Sequence, residues 1–434
     1  MRRDALRAFR LGCTSVQYFG SVFTDSLREG AVAFLDDEFR LDDPSFYAGD
    51  PVPVYARLRA EAPVHRYEPL DLWVLSRYED IRHVSRTPEL FSSESGLVLN
   101  DIKYDQSMVK MLFPPDAENL MASDPPRHRQ LRKIIVTAFT AKIVNTMEPR
   151  IRRIATTLLD RITPGEPIEW VEDIAVPYPL LVLSELMGLP GDNIPDLRTW
   201  ADDTTAVGLP LTQEEFEAIV RDLMNSAAYF GEQFAQRQAC PAGDLLTGLL
   251  DAQIDGERLN EVTRLMFCQF LLAAGGETTR HLLSNALLTF LDHPEQHELL
   301  INDPGLASTA ADELLRWITP AMGFVRTAKQ ETEIRGQHIG AGERVYMLYP
   351  AGNRDEEIWP AADKLDLARE PDPMHLSFGF GEHFCMGAAL ARMEIRVFLE
   401  ELMVRHPRFA LAGEPRRQDS VLFNAWESVP VVFG

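Results

Sequence analysis

The segment from about 259 to 291, LNEVTRLMFCQFLLAAGGETTRHLLSNALLTFL, limits the possible folds more than any other stretch. Apolar residues recur in it at three- and four-residue spacing, the mark of a helix. Asn260 can cap its start, and Asp292-His293-Pro294 stops it. At about 1.5 Å per residue such a helix crosses a whole molecule. It is apolar on several sides, so protein must surround it and it must be central. Helical spacing also marks 53–61, 77–87, 127–140, 142–162, 179–188, 213–238, 294–302, 305–318 and 386–405. Strand-like runs are few and short: VHRYE, LWVLS, FVRTA, GERVYMLY and the terminal PVVFG. Without βαβ alternation, a doubly wound sheet or a barrel is excluded. The expected fold is mainly α with small β-sheets, in a single large domain over 43–434. Residues 1–42 are expected to be a loosely ordered N-terminal extension.

Composition removes several function classes. The net charge of −23 is the wrong sign for a duplex-binding protein, so no nucleic-acid partner is expected. No apolar run approaches the roughly 20 residues of a membrane span, and no membrane anchor is expected. The four cysteines, at 13, 240, 268 and 385, have neither metal-type spacing nor a disulfide pattern. That usage fits a reducing compartment, so a cytoplasmic location is expected.

One cysteine is treated differently from the rest. FGFGEHFCMG, 378–387, surrounds Cys385 with three glycines, three phenylalanines and a histidine. The helical run that follows places Cys385 at a helix N-terminus, where unpaired N–H groups and the helix dipole favour a thiolate. Gly379 and Gly381 allow a tight turn and close backbone approach to a flat object. Two readings are open on these residues: a buried free cysteine, or a thiolate ligand to haem iron. AGGETT, 274–279, is similarly divided. Two glycines inside a helix cost about 1 kcal/mol each relative to alanine. They fit either a helix that opens over a ligand or a helix contact that needs small residues.

The ten-residue loop resembles the F-G-x-G-x-H-x-C-x-G signature of the cytochromes P450, the haem-thiolate monooxygenases, at every fixed position. AGGETT resembles the same family's A-G-x-[DE]-T motif, Glu313 and Arg316 in DELLRW its E-x-x-R pair, and His128 and Arg132 in PPRHRQLRK its P-P-x-H-x-x-x-R motif. The resemblance covers about 43–434, in family order. It implies haem b (iron protoporphyrin IX) with Cys385 on the iron, the long central helix over the haem, and Phe378 and Gly379 beside the sulfur. It implies Ala274 and Gly275 over the oxygen site, with Thr278 bonding dioxygen and Glu277 relaying protons. His128, Arg132, Arg326 and His383 would hold the haem propionates, and Glu313, Arg316 and Arg369 would be structural. His375 is expected to pack and hydrogen-bond rather than ligate. Arg127, Arg129 and Lys133 would remain outside as a basic patch for an acidic electron carrier.

The implied reaction is insertion of one oxygen atom from O2 into a C–H bond of an apolar small molecule of the lipid, steroid or terpenoid class. Electrons would come from a ferredoxin and a ferredoxin reductase, because the chain has no room for a flavin or nicotinamide domain. An H2O2-driven peroxygenase and a non-catalytic haem sensor are the alternatives. Candidate pocket residues are Leu97, Val98, Leu99, Ile102, Met108, Met111, Leu112 and Phe113 in one loop. Others are Phe267, Phe270 and Leu271 before AGGETT, Met322, Phe324 and Val325, and Phe423 with Trp426 near the C-terminus. At the C-terminus Ala425 and Trp426 depart from the family's usual glycine and smaller apolar residue.

Overall fold

The computed structural model describes residues 38–104, 118–136, 139–191, 193–206 and 209–434. The long helix runs from Glu261 to Asp292 and is the axis of the molecule. The Asn260 side chain accepts from Thr263 N at 2.7 Å, satisfying one of the orphan N–H groups at its start. Residues on every face of this central helix are buried, as its composition requires. Helices Pro177–Met187, Ile194–Ala206 and Ala307–Ile318 lie against it, and helix Ala388–Arg405 touches it from the side of the Cys385 loop.

The largest sheet has five strands in the order 64–67, 72–75, 344–348, 323–328, 91–92. Only the pairing of 72–75 with 344–348 is parallel. The other sheets are small, with two or three strands. Among the described helices of seven residues or more, the sequence periodicity missed Ile194–Ala206 and Leu245–Asp251. Ile194–Ala206 was missed because TWADDTTA, its second half, is polar. Its buried residues, Leu197, Trp200 and Ala201, are too few to print a clear helical stripe.

One core cluster surrounds the central helix and a second lies under the large sheet. Phe39 and Leu41 are part of the second, with Phe39 edge-on to Tyr67 at 5.6 Å. Packing therefore starts ahead of the boundary read at residue 43. Among the described residues no helix is long and apolar enough to cross a membrane.

Candidate active site

The Cys385 loop is set by backbone geometry. Gly379 and Gly381 adopt φ of +65° and +67°, which side-chain-bearing residues rarely take. A Cβ at Gly381 would stand 2.1 Å from Ser85 O, so this glycine serves an approach to the neighbouring helix Tyr78–Arg86 rather than to a flat ligand. Cys385 N donates to Phe378 O at 2.8 Å, closing the loop. The helix proper begins at Ala388, three residues after the cysteine. The N–H groups of Gly387 and Ala388 point at the sulfur.

The Cys385 side chain is accessible. It nevertheless stands deep among protein atoms, where burial pushes its thiol above the usual range. The two N–H groups and the Arg132 and Arg392 guanidiniums only partly oppose this. An accessible group at such depth lines an internal recess. The expectation that helix position alone yields a thiolate is corrected here: desolvation wins, and a bound metal cation would be needed to hold the anion.

The central helix carries the matching surface. Leu271, Ala274 and Thr278, on one stripe, are part or fully accessible, as are Phe270 and Gly275 beside them. Leu272, Ala273, Gly276, Glu277 and Thr279 around them are buried. A helix wrapped by protein that is accessible along one short stripe faces an interior recess.

The helix is continuous through this stretch, so of the two readings left open for the glycines the opened helix is not the one seen. Thr278 Oγ1 donates to Ala274 O at 2.8 Å within the helix. A Cβ at Gly275 would meet Leu183 at 3.1 Å, and one at Gly276 would meet Leu180 at 3.1 Å. The glycines are thus used for close contact with helix Pro177–Met187, and at 275 the small side faces that helix.

Glu277 is buried and tied to charge. Arg280 Nη2 donates to Glu277 Oε2 at 2.5 Å, and Arg280 Nη1 to Asp202 Oδ1 at 3.1 Å. Burial raises the Glu277 pKa, while Arg280 and a hydrogen bond with Asp202 pull it back. Asp202 is also raised, by burial and then by the Glu277 charge. A cavity of about 10 Å³, lined in part by Arg198, Gly276, Glu277 and Arg280, adjoins the group. Arg280 and Asp202 were missed from the sequence. The i,i+3 spacing of Glu277 and Arg280 could have revealed the first; Asp202 meets them only through the tertiary fold.

The cationic set assembles beside the Cys385 loop. The His128 and His383 rings lie 4.2 Å apart, and Ser93 Oγ is 3.1 Å from His383 Nε2. Burial, reinforced by the arginines, depresses His128 to about 4 and His383 to about 3. Arg326 is 7% exposed and donates to the Val325 carbonyl, while Arg132 donates to Phe384 O at 2.6 Å. Burial lowers both guanidinium pKa values. His128 Nδ1 is buried with no partner. Four donors converge where the nearest acids, Asp124 and Glu382, are already paired with Lys329 and Arg129. Such a cluster is suited to bring in a ligand's carboxylates. The residues therefore fit a haem: an accessible sulfur, an accessible apolar stripe, and a cluster of buried donors with no free carboxylate of its own.

Several expected pocket residues belong to the core instead. Leu99, Met322, Val325 and Phe267 are buried. Trp426 donates to Asn285 Oδ1 at 2.8 Å and carries the Arg417 guanidinium on its ring. Met108, Met111, Leu112 and Phe113 lie outside the described residues. Leu97 and Val98 are half-buried, and Leu97 O accepts from Val325 N at 2.7 Å, which ties that loop to the Arg326 strand.

Comparison with known proteins agrees with this geometry. The Cytochrome P450 family model matches residues 306–420. Linalool 8-monooxygenase of Pseudomonas putida is 34% identical, covering 90% of this chain and 98% of its own. The methyl-branched lipid omega-hydroxylase of Mycobacterium tuberculosis is 33% identical, covering 87% of this chain and 90% of its own. The solved structure of Mycobacterium marinum cytochrome P450 CYP268A2 in complex with pseudoionone superposes with a TM-score of 0.80 at 33% identity, covering 90% of this chain and 97% of that one. The chain belongs to the cytochrome P450 family, the haem-thiolate monooxygenases.

Proposed function

We propose that this protein inserts one oxygen atom of O2 into a C–H bond of an apolar lipid, steroid or terpenoid. The second atom leaves as water, with two electrons from a ferredoxin and its reductase and two protons from solvent. Its cofactor is haem b, held by Cys385 on the iron and by His128, Arg132, Arg326 and His383 on the propionates. Thiolate-ligated haem supplies the O–O bond cleavage and the oxidising equivalent. The chain's own residues bind, orient and move protons. The observation that carries the reading is that the Cys385 sulfur and the Leu271–Ala274–Thr278 stripe of the central helix are both accessible, while His128 Nδ1 is buried with no partner.

Thr278 Oγ1 is the hydroxyl on the accessible stripe, and Glu277 is the adjoining acid. With its pKa raised by burial, Glu277 can give up a proton inside the molecule and regain one from the Asp202 side, which is partly exposed. General acid–base work of this kind contributes about 10²–10⁴-fold. Glu277→Gln is therefore expected to lower product formation by at least about 10²-fold while the haem spectrum stays intact. The apolar class rests on Phe270, Leu271 and Ala274 at the stripe and on the terpenoid and branched-lipid oxidation for which the relatives are named. Lys133, exposed in a chain of net charge −23, is the offered docking cation. Arg129 is less available because it pairs with Glu382 at 3.0 Å.

A screen of linear terpenoids, branched fatty acids and steroids for the low-spin to high-spin shift of the haem tests the substrate class. Shifts only with polar or charged compounds would contradict it. Turnover with H2O2 alone at the rate of the ferredoxin-driven reaction would contradict the electron route.

A further inference from the structure

Beside the Cys385 loop, four residues from three elements form a chain of contacts. Arg392, in helix Ala388–Arg405, lies with its guanidinium carbon 4.7 Å from the Phe378 ring centroid. Its Nε donates to Asp312 Oδ1 at 2.8 Å. The same oxygen is 3.1 Å from His375 Nε2, and His375 Nδ1 accepts from Ser377 N at 3.1 Å. The Ser377 bond fixes the tautomer, since Nδ1 must be bare and Nε2 must carry the proton toward Asp312. His375 is buried and its ring lies 5.2 Å from Phe378, so the phenyl ring is in contact with both an imidazole and a guanidinium. Phe378 O in turn accepts from Cys385 N.

This arrangement is more than a packing contact. An arginine could satisfy Asp312 in many rotamers, but here its guanidinium lies over the ring of Phe378, the residue whose backbone carbonyl closes the cysteine loop. Asp312 is mostly buried and anchored by His375, so the cation cannot swing into solvent without leaving a buried carboxylate with a single partner. The fixed positive charge next to the loop favours the more negative of any two states of the sulfur and what it binds.

We propose that Arg392, aimed by Asp312 and His375, is a positioning residue that sets the reduction potential of the thiolate-bound iron. It does so through a fixed charge held on Phe378. The inference rests on the haem-thiolate reading above. Reduction adds one electron to the iron–sulfur unit, so a held cation favours the reduced form and its removal favours the oxidised form. Asp312 has the opposite sign, and its neutralisation should act the opposite way.

The test is spectroelectrochemical titration of purified haem-loaded Arg392→Met, Arg392→Lys and Asp312→Asn against the parent. Each variant is first checked for the thiolate-type ferrous–CO spectrum. Loss of that band in the parent itself would defeat the underlying reading, not this one. Arg392→Met is expected to shift the oxidised-to-reduced ratio about threefold to tenfold toward oxidised at a fixed poise. That is about 30 to 60 mV, at 59 mV per tenfold for one electron. Asp312→Asn is expected to shift it toward reduced, and Arg392→Lys to stay near the parent. If Arg392→Met does not hold haem, the sign of the Asp312→Asn shift decides. Shifts of the same sign for Met and Asn, an Asn shift toward oxidised, or a Lys variant that matches Met would put the effect in packing and overturn the proposal.

Discussion

Two buried charge clusters flank the Cys385 loop, and they are built on opposite rules. At Glu313–Arg316–Arg369 every charge is answered. Arg316 Nε and Nη2 hold both Glu313 oxygens, at 2.7 and 2.8 Å, and its remaining N–H groups reach the carbonyls of Asn353, Ala362 and Lys364. Arg369 and the Asp366 backbone complete the glutamate. At His128–His383–Arg326–Arg132 the donors crowd together, depress one another's pKa values, and leave His128 Nδ1 without a partner. A closed network is architecture. A network of buried donors without a carboxylate of its own is unfavourable by itself and is retained for what it binds. The same residue type, arginine, thus has opposite meanings about the same loop.

Breaking the closed network should have the largest effect. Arg316→Met leaves Glu313 charged and buried, which costs about 3–5 kcal/mol. Thermal melts are expected to show a large fall in Tm, or no folded protein, with or without haem. Arg326→Met should act the other way round. The haem-free protein is expected to keep or raise its Tm, because a desolvated cation is removed. Haem transfer to an apo-acceptor should quicken by about tenfold, matching a charge-assisted bond of about 1.5 kcal/mol.

A pH series sharpens the contrast further. His128 and His383 have folded pKa values depressed to about 4 and about 3. Their neutral forms are full members of the folded state above the unfolded value of about 6.5. Between about 6.5 and 4 the unfolded chain binds the extra protons, so the haem-free protein loses stability as pH falls through that window. The slope is at most about 1.4 kcal/mol per pH unit per histidine. Bound propionates would raise both folded values, so haem should flatten the slope. An equal slope with and without haem would contradict the assignment. Smallest is the surface term: Lys133→Glu is expected to raise the KM for an acidic ferredoxin a few-fold, more at low salt, and leave peroxide-driven turnover alone.

Much of this was legible because local signals and the fold agreed. The central helix announced itself through its spacing and its Asn260 cap, and the Cys385 loop through its density of glycines. What was not legible needed distance in space. Gly275 and Gly276 could have meant an opened helix, and only the position of Leu180 and Leu183 shows a packing contact. Gly381 was assigned to a ligand, whereas its crowding partner, Ser85, is about 300 residues away in the chain. The thiolate argument used the helix dipole, which sequence reveals, and could not weigh desolvation, which sequence does not. Asp202 sits in the polar helix that periodicity missed, so the outer half of the Glu277 network was missed with it.

The central claim is that the Cys385 sulfur binds the iron of a haem whose carboxylates complete the donor cluster. Its most direct test is the reduced, CO-treated spectrum of the purified protein beside Cys385→Ser, with circular dichroism to confirm that both fold. The parent is expected to show the red-shifted Soret band of a thiolate-ligated ferrous–CO haem, and the serine variant to lose that band while keeping its helices. A serine variant that retained the band, or a parent that bound haem without it, would contradict the account.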